Sequence, residues 1–190
     1  SVVIGNFGTN PVKVTSIAVW KNLPIEELGL NYLEVEDAGQ ISKFKRLESL
    51  HCTSGEMFRS APDSLRLLDL KHVNIKDGMD LGKFPLLESL HLCHVKCSSV
   101  SGMESLANLE SLSLHDIRIR DFFGLKAYRK LKHLELSYDK CCKCDFNVTD
   151  LAGLPLESLV LENVPLVEIR GLEESPLIDI RVNGAAIKSL

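Results

Sequence analysis

Apolar residues recur along this chain in one spacing: an apolar position, a second three residues later and a third two residues beyond that. The triplets are Leu47-Leu50-Cys52, Leu65-Leu68-Leu70, Leu87-Leu90-Leu92, Leu109-Leu112-Leu114, Leu131-Leu134-Leu136, Leu156-Leu159-Leu161 and Leu177-Ile180-Val182. Their starts are separated by 18, 22, 22, 22, 25 and 21 residues. A further copy stands upstream at Ile25-Leu28-Leu30, and Val14-Ile17-Val19 keeps the spacing 11 residues before it. The upstream fragment is too close to be a full turn and is expected to act as a capping strand. Residues 1–24 therefore read as an N-terminal capping segment and 25–190 as about eight repeats in one domain. Ala185-Ala186-Ile187 continues the pattern, so truncation at one or both ends is expected.

The last two apolar positions of each triplet have the period of a β-strand, which sends them to one face and the residues between them to the other. Apolar residues continue at the ninth and eleventh positions, as in Val73 and Ile75 or Val95 and Cys97, where the chain turns back across a core. The return limb then places Val100, Met103, Leu106 and Leu109 about every third residue, the period of short 3-10 or irregular helical turns rather than long α-helices. One such unit cannot cover both its strand and its limb, so neighbours must stack and the strands must pair in parallel. An α/β solenoid is predicted, with a curved parallel sheet on the concave side and short helical segments on the convex side.

The segments 100–112 and 148–154 resemble the 22-residue repeats of the SDS22-like leucine-rich-repeat family, and roughly residues 14–190 resemble leucine-rich repeats at large. The ninth position, commonly Asn or Cys in such repeats, is Leu33, Val73, Val95, Ile117 and Val164. Valine there is similar to the irregular repeats of F-box-type leucine-rich-repeat proteins. The resemblance implies the solenoid fold and a binding role, either as an intracellular adaptor or as a regulatory subunit of the phosphatase-associated type.

Composition sharpens this picture. Leucine contributes 32 of 190 residues, against three Tyr and one Trp, as expected when one packing problem is solved repeatedly. A net charge of -4 supplies no broad cationic field for phosphates, so nucleic acid is not an expected partner. A basic run through Arg118, Arg120, Lys126, Arg129, Lys130 and Lys132 reads as a solvated convex face. No stretch reaches the roughly 18 consecutive apolar residues of a membrane span, so no membrane partner is expected either. Six cysteines lie within the repeats rather than in terminal pairs, which points to reduced thiols in the cytoplasm or nucleus. The sequon Asn147-Val148-Thr149 points the other way, towards a secreted receptor.

Candidate chemistry sits on the strands. Counting the residue between the two strand leucines gives His51, Asp69, His91, Ser113, Glu135, Val160 and Arg181 from repeat to repeat. The seventh position adds Lys71, Cys93 and His115, and the third adds His133. His72 and His94 follow at the eighth, so all six histidines fall on or just beyond the strands and none on the return limb. His51, Asp69, Lys71, His91, His115, His133, Glu135 and Arg181 are the predicted binding residues of a face whose charge imidazoles can tune near neutral pH. His51 and His91 stand two strands apart, roughly 10 Å, too far to share one metal ion. Cys141, Cys142 and Cys144 could supply thiolate ligands, but no second pair accompanies them and Cys141 occupies a core position. No metal or cofactor is expected, and the nucleophile-elbow, phosphate-loop and metalloprotease motifs are missing. The sequence therefore predicts a protein-binding adaptor or substrate-recognition segment rather than an enzyme, with a scaffolding subunit or a secreted ligand receptor as alternatives.

Overall fold

The structure, a computed structural model, describes residues 2–3, 12–97, 99–117, 125–139, 151, 153–164, 167–168, 172, 174–184 and 187–189. Arg118, Arg120, Cys141, Cys142, Cys144 and Asn147 lie outside them.

Each leucine triplet closes on a short strand, and the strands assemble in chain order into one nine-stranded sheet. They are β1 (Val2–Val3), β2 (Glu27–Leu30), β3 (Ser49–Cys52), β4 (Leu67–Lys71), β5 (Ser89–Cys93), β6 (Ser111–His115), β7 (His133–Ser137), β8 (Ser158–Glu162) and β9 (Asp179–Asn183). Every neighbouring pair is parallel, and equivalent repeat positions face each other: Leu68 meets Leu90, Leu112 meets Leu134 and Leu159 meets Ile180. Strand leucines at the fourth and sixth positions are buried, and most of the residues flanking them are half-exposed. The alternation thus separates a core face from an open face.

The return limbs close the core from the other side. Short 3-10 segments lie at Ala18–Trp20, Ala38–Lys43, Met103–Ser105 and Leu125–Ala127. The shortest repeat, which begins at Leu47, instead folds α1 (Gly55–Ser60). Ser54 caps that helix by accepting from the Met57 amide, and Lys83 Nζ donates to the Phe58 and Arg59 carbonyls at its far end, 2.7 Å from each. The limbs also carry small parallel ladders that the sequence did not announce, Asn74–Ile75 with Lys96–Cys97 and Met79–Asp80 with Val100–Ser101. Two-residue strands contain too little alternation to register as a pattern.

The ninth-position residues Leu33, Val73, Val95, Ile117 and Val164 are all buried in the core. Backbone groups near them are satisfied by the chain itself. The amides of His72, His94, Asp116 and Asn163 each donate to the seventh-position carbonyl of the following repeat, at 2.8, 2.9, 2.9 and 2.7 Å. The same eighth residues, with Tyr32, have φ between 50° and 56°, the left-handed turn that ends the strand. Asn, Asp and His tolerate that conformation better than most side chains, which accounts for four of these five residues.

The upstream fragment Val14-Ile17-Val19 is a strand only at its first residue and does not join the main sheet. Val12–Val14 pairs with Leu33–Val35, and Ala18–Trp20 turns as a 3-10 helix that buries Ile17 but leaves Val19 74% exposed. Asp37 fixes that turn by accepting from the Ser16 hydroxyl and from the Ile17 amide at 2.9 Å. The edge of the sheet is instead β1, which pairs with Leu28 and Gly29.

Candidate functional site

The open face of the sheet carries the predicted binding residues, and their placement follows from the register. Asp69 lies opposite His51 on one side and His91 on the other. His51 Nδ1 is 3.0 Å and Lys71 Nζ 3.1 Å from Asp69 Oδ2. An ionised carboxylate can only accept, so the hydrogen of that contact sits on His51 Nδ1. His91 Nδ1 lies 3.3 Å from Asp69 Oδ1, close enough for an ion pair but without hydrogen-bond alignment, and His91 Nε2 is buried with no partner. Burial by itself would raise the Asp69 carboxyl; the hydrogen bonds of His51 and Lys71 and the charges of His91 and Lys71 outweigh it and hold the group below its usual value.

A second cluster adjoins the first. The His91 and His115 rings meet at a centroid distance of 5.3 Å, tilted by 57°. Ser113 Oγ is 2.9 Å from both Glu135 Oε2 and His115 Nε2. The serine has one hydrogen and the carboxylate needs it, so His115 Nε2 carries the hydrogen that Ser113 accepts. His115 Nε2 also lies 3.5 Å from Glu135 Oε1. Glu27, which the sequence pattern did not single out, extends the strip at its other end, with Oε1 3.9 Å from His51 Nε2. It could have been found by carrying the ladder back to the repeat at Ile25.

Six predicted residues thus join one polar strip: His51, Asp69, Lys71, His91, His115 and Glu135. His133 stands apart, exposed on β7 opposite Ser111 and Ser158. Arg181 is also separate. It is exposed and pairs with Asp179 of its own strand, 3.2 Å away, while Val160 interrupts the ladder between it and Glu135. His72 and His94 leave the face altogether. Their rings stack at 4.8 Å beyond the strand ends, and His94 Nδ1 pairs with Asp116 Oδ2 at 3.2 Å.

Burial pushes the Cys93 thiol up, with Asp116 and Asp69 adding to the rise and Lys71 opposing it, which leaves little thiolate for nucleophilic attack. Among the described residues no group of three or more His, Cys, Asp or Glu could hold a metal ion, and the cluster at Cys141, Cys142 and Cys144 lies outside them. No helix among those residues is long and apolar enough to cross a membrane.

No protein-family model and no curated protein matches the chain. Solved structures do. An internalin (inlF) of Listeria monocytogenes superposes with a TM-score of 0.72 at 20% identity over 97% of this chain. The functional domain of InlJ from the same organism, described as including a cysteine ladder, gives 0.64 at 13% identity over 95%. A leucine-rich-repeat protein of Leptospira interrogans gives 0.55 at 16% identity over 92%. The fold is a leucine-rich-repeat solenoid. The chain spans 55%, 39% and 52% of those three chains. Solenoids of this kind present extended concave surfaces suited to protein recognition, and the strip from Glu27 to Glu135 lies across that surface.

Proposed function

We propose that this leucine-rich-repeat chain is a protein-recognition module, an adaptor or substrate-recognition segment, that engages its partner across the open sheet face. The observation that carries this reading is the strip from Glu27 to Glu135. It is a set of polar groups on six consecutive strands, exposed or half-exposed around the buried Asp69, held by mutual hydrogen bonds and ion pairs on a backbone with unbroken register. A surface ordered before its partner arrives loses less side-chain freedom on binding, which favours recognition. The same reading places the module in the cytoplasm or nucleus, supported by the free thiols of Cys52, Cys93 and Cys97.

Affinity capture with partner identification tests it. The double substitution His91→Glu and Glu135→Lys is expected to abolish capture of the specific partner, whereas Arg59→Glu and Lys130→Glu on the return limbs leave it intact. The opposite outcome would move the binding surface to the convex side.

A further inference from the structure

The partner's chemistry follows from charge on the same face. At the third, fifth and seventh positions of β2 to β9 stand five carboxylates, Glu27, Asp69, Glu135, Glu162 and Asp179, against two cations, Lys71 and Arg181. Asp69 is compensated by Lys71 and Asp179 by Arg181. Glu27, Glu135 and Glu162 remain, and the last two are already oriented. Ser113 donates to Glu135 Oε2 at 2.9 Å and Ser137 to Glu162 Oε2 at 3.2 Å. Each serine ties down one oxygen; the second oxygen of Glu135 has His115 Nε2 3.5 Å away but belongs to a side chain still 41% exposed, so both carboxylates keep lone pairs for a guanidinium or ammonium group.

Four imidazoles share the face. His51 is flanked by Glu27 from β2 and Asp69 from β4. His91 is faced by Asp69 and Lys71 from β4, by His115 from β6 and, at longer range, by Glu135 from β7. His115 meets Glu135 and the His91 ring, and His133 lies opposite Ser111 and Ser158 with Glu110 nearby. With the histidines neutral the face carries three net negative charges; with all four protonated it carries one net positive charge.

We infer that the open face takes an extended, cationic polypeptide segment at neutral pH and releases it on acidification. This rests on the recognition reading above and adds the class of partner and its control. Five strand steps separate Glu27 from Glu135, about 24 Å at the usual strand spacing, which an extended peptide covers in about seven residues. The segment therefore needs Lys or Arg at positions roughly seven apart, and it passes over His51, His91 and His115 on the way. Protonation of those rings places cations directly beneath a cationic ligand. Histidine as a residue type makes that change between about pH 5 and 8.

Fluorescence anisotropy of the 190-residue chain with a labelled Arg-Ser dodecapeptide, and with a Glu-Ser dodecapeptide as the acidic arm, tests the inference when combined with a hydrogen-exchange footprint. The Arg-Ser peptide is expected to bind at pH 7.5, to protect β2 to β7, and to bind at least tenfold more weakly at pH 5.5, with circular dichroism showing the chain still folded. Glu135→Gln and Glu162→Gln should each weaken binding at pH 7.5. The pair His115→Gln and His133→Gln, which leaves the contacts of Asp69 in place, should reduce the pH dependence. Absence of Arg-Ser binding, preference for the Glu-Ser peptide on the same strands, or undiminished binding at pH 5.5 overturns the inference while leaving concave-face recognition standing. A footprint confined to the return limbs overturns both.

Discussion

Asp69 is the one charged side chain that the fold buries among the described residues, at 6% exposure, and a buried carboxylate persists only when its charge is matched. Asp69→Asn keeps the shape but turns one oxygen into a donor facing the hydrogen of His51 and the ammonium of Lys71. A loss of about 2 kcal/mol at pH 7 is expected from the donors left without an acceptor. The native carboxyl lies below its unfolded value, so its contribution is complete above about pH 4 and disappears as pH falls through the lower, folded value. Urea unfolding at pH 7 and pH 3 should therefore show the variant's deficit shrinking in acid. His91 follows the same sign for a different reason, since its surroundings favour the neutral form. Burial, chiefly, with His115 and Lys71 lowers its imidazole against the pull of Asp69 and Glu135, so the unfolded chain takes the proton first. Stability is lost as pH falls through the unfolded histidine value of about 6.5. In the same measurement between pH 7.5 and 5.5, His91→Gln should lose less stability than the native chain.

At the scale of elements, the short repeat beginning at Leu47 departs most from the others. It has no left-handed eighth residue, and the Tyr32 amide finds its partner in the Thr53 hydroxyl at 3.0 Å rather than in a backbone carbonyl. Thr53→Val should cost about 1 kcal/mol in chemical unfolding by leaving that amide without a protein acceptor. Gly102 is another fixed point. Its φ is 75°, and a Cβ there would come within 2.1 Å of the Gly82 amide nitrogen, so Gly102→Ala should force neighbouring return limbs apart and cost more than 2 kcal/mol. Strands were legible because a buried Leu50, Leu68 or Leu90 every second residue admits one pairing. The same rule misled at Val14-Ile17-Val19, where three apolar residues at the right spacing cannot reveal that Asp37 fastens the turn from 20 residues away. Helix α1 was equally hidden, since six residues offer too little periodicity even with Ser54 as its cap.

Across the whole molecule, interior strands of the main sheet have a neighbour on both sides, while β9 at its end pairs only with β8. Leu112 is fully buried; Ile180, at the equivalent position, is 53% exposed, and Ile178 beside it 86%. Leu112→Ala should cost about 3 kcal/mol and Ile180→Ala less than 1 kcal/mol, a contrast that paired thermal or urea melts would read directly. The site's columns were legible because counting positions along the chain is equivalent to stepping across the sheet. Asp69 as the hub was not, because side-chain rotation decides whether His51 and His91 turn towards it. The repeats differ in length by as many as seven residues, yet β2 to β9 stay in register, and the difference is absorbed in the return limbs. The sheet is accordingly a ruler with graduations of about 4.8 Å that insertions behind it cannot stretch. Residues can be added to or removed from the back of a repeat without altering the spacing of the marks that a partner reads.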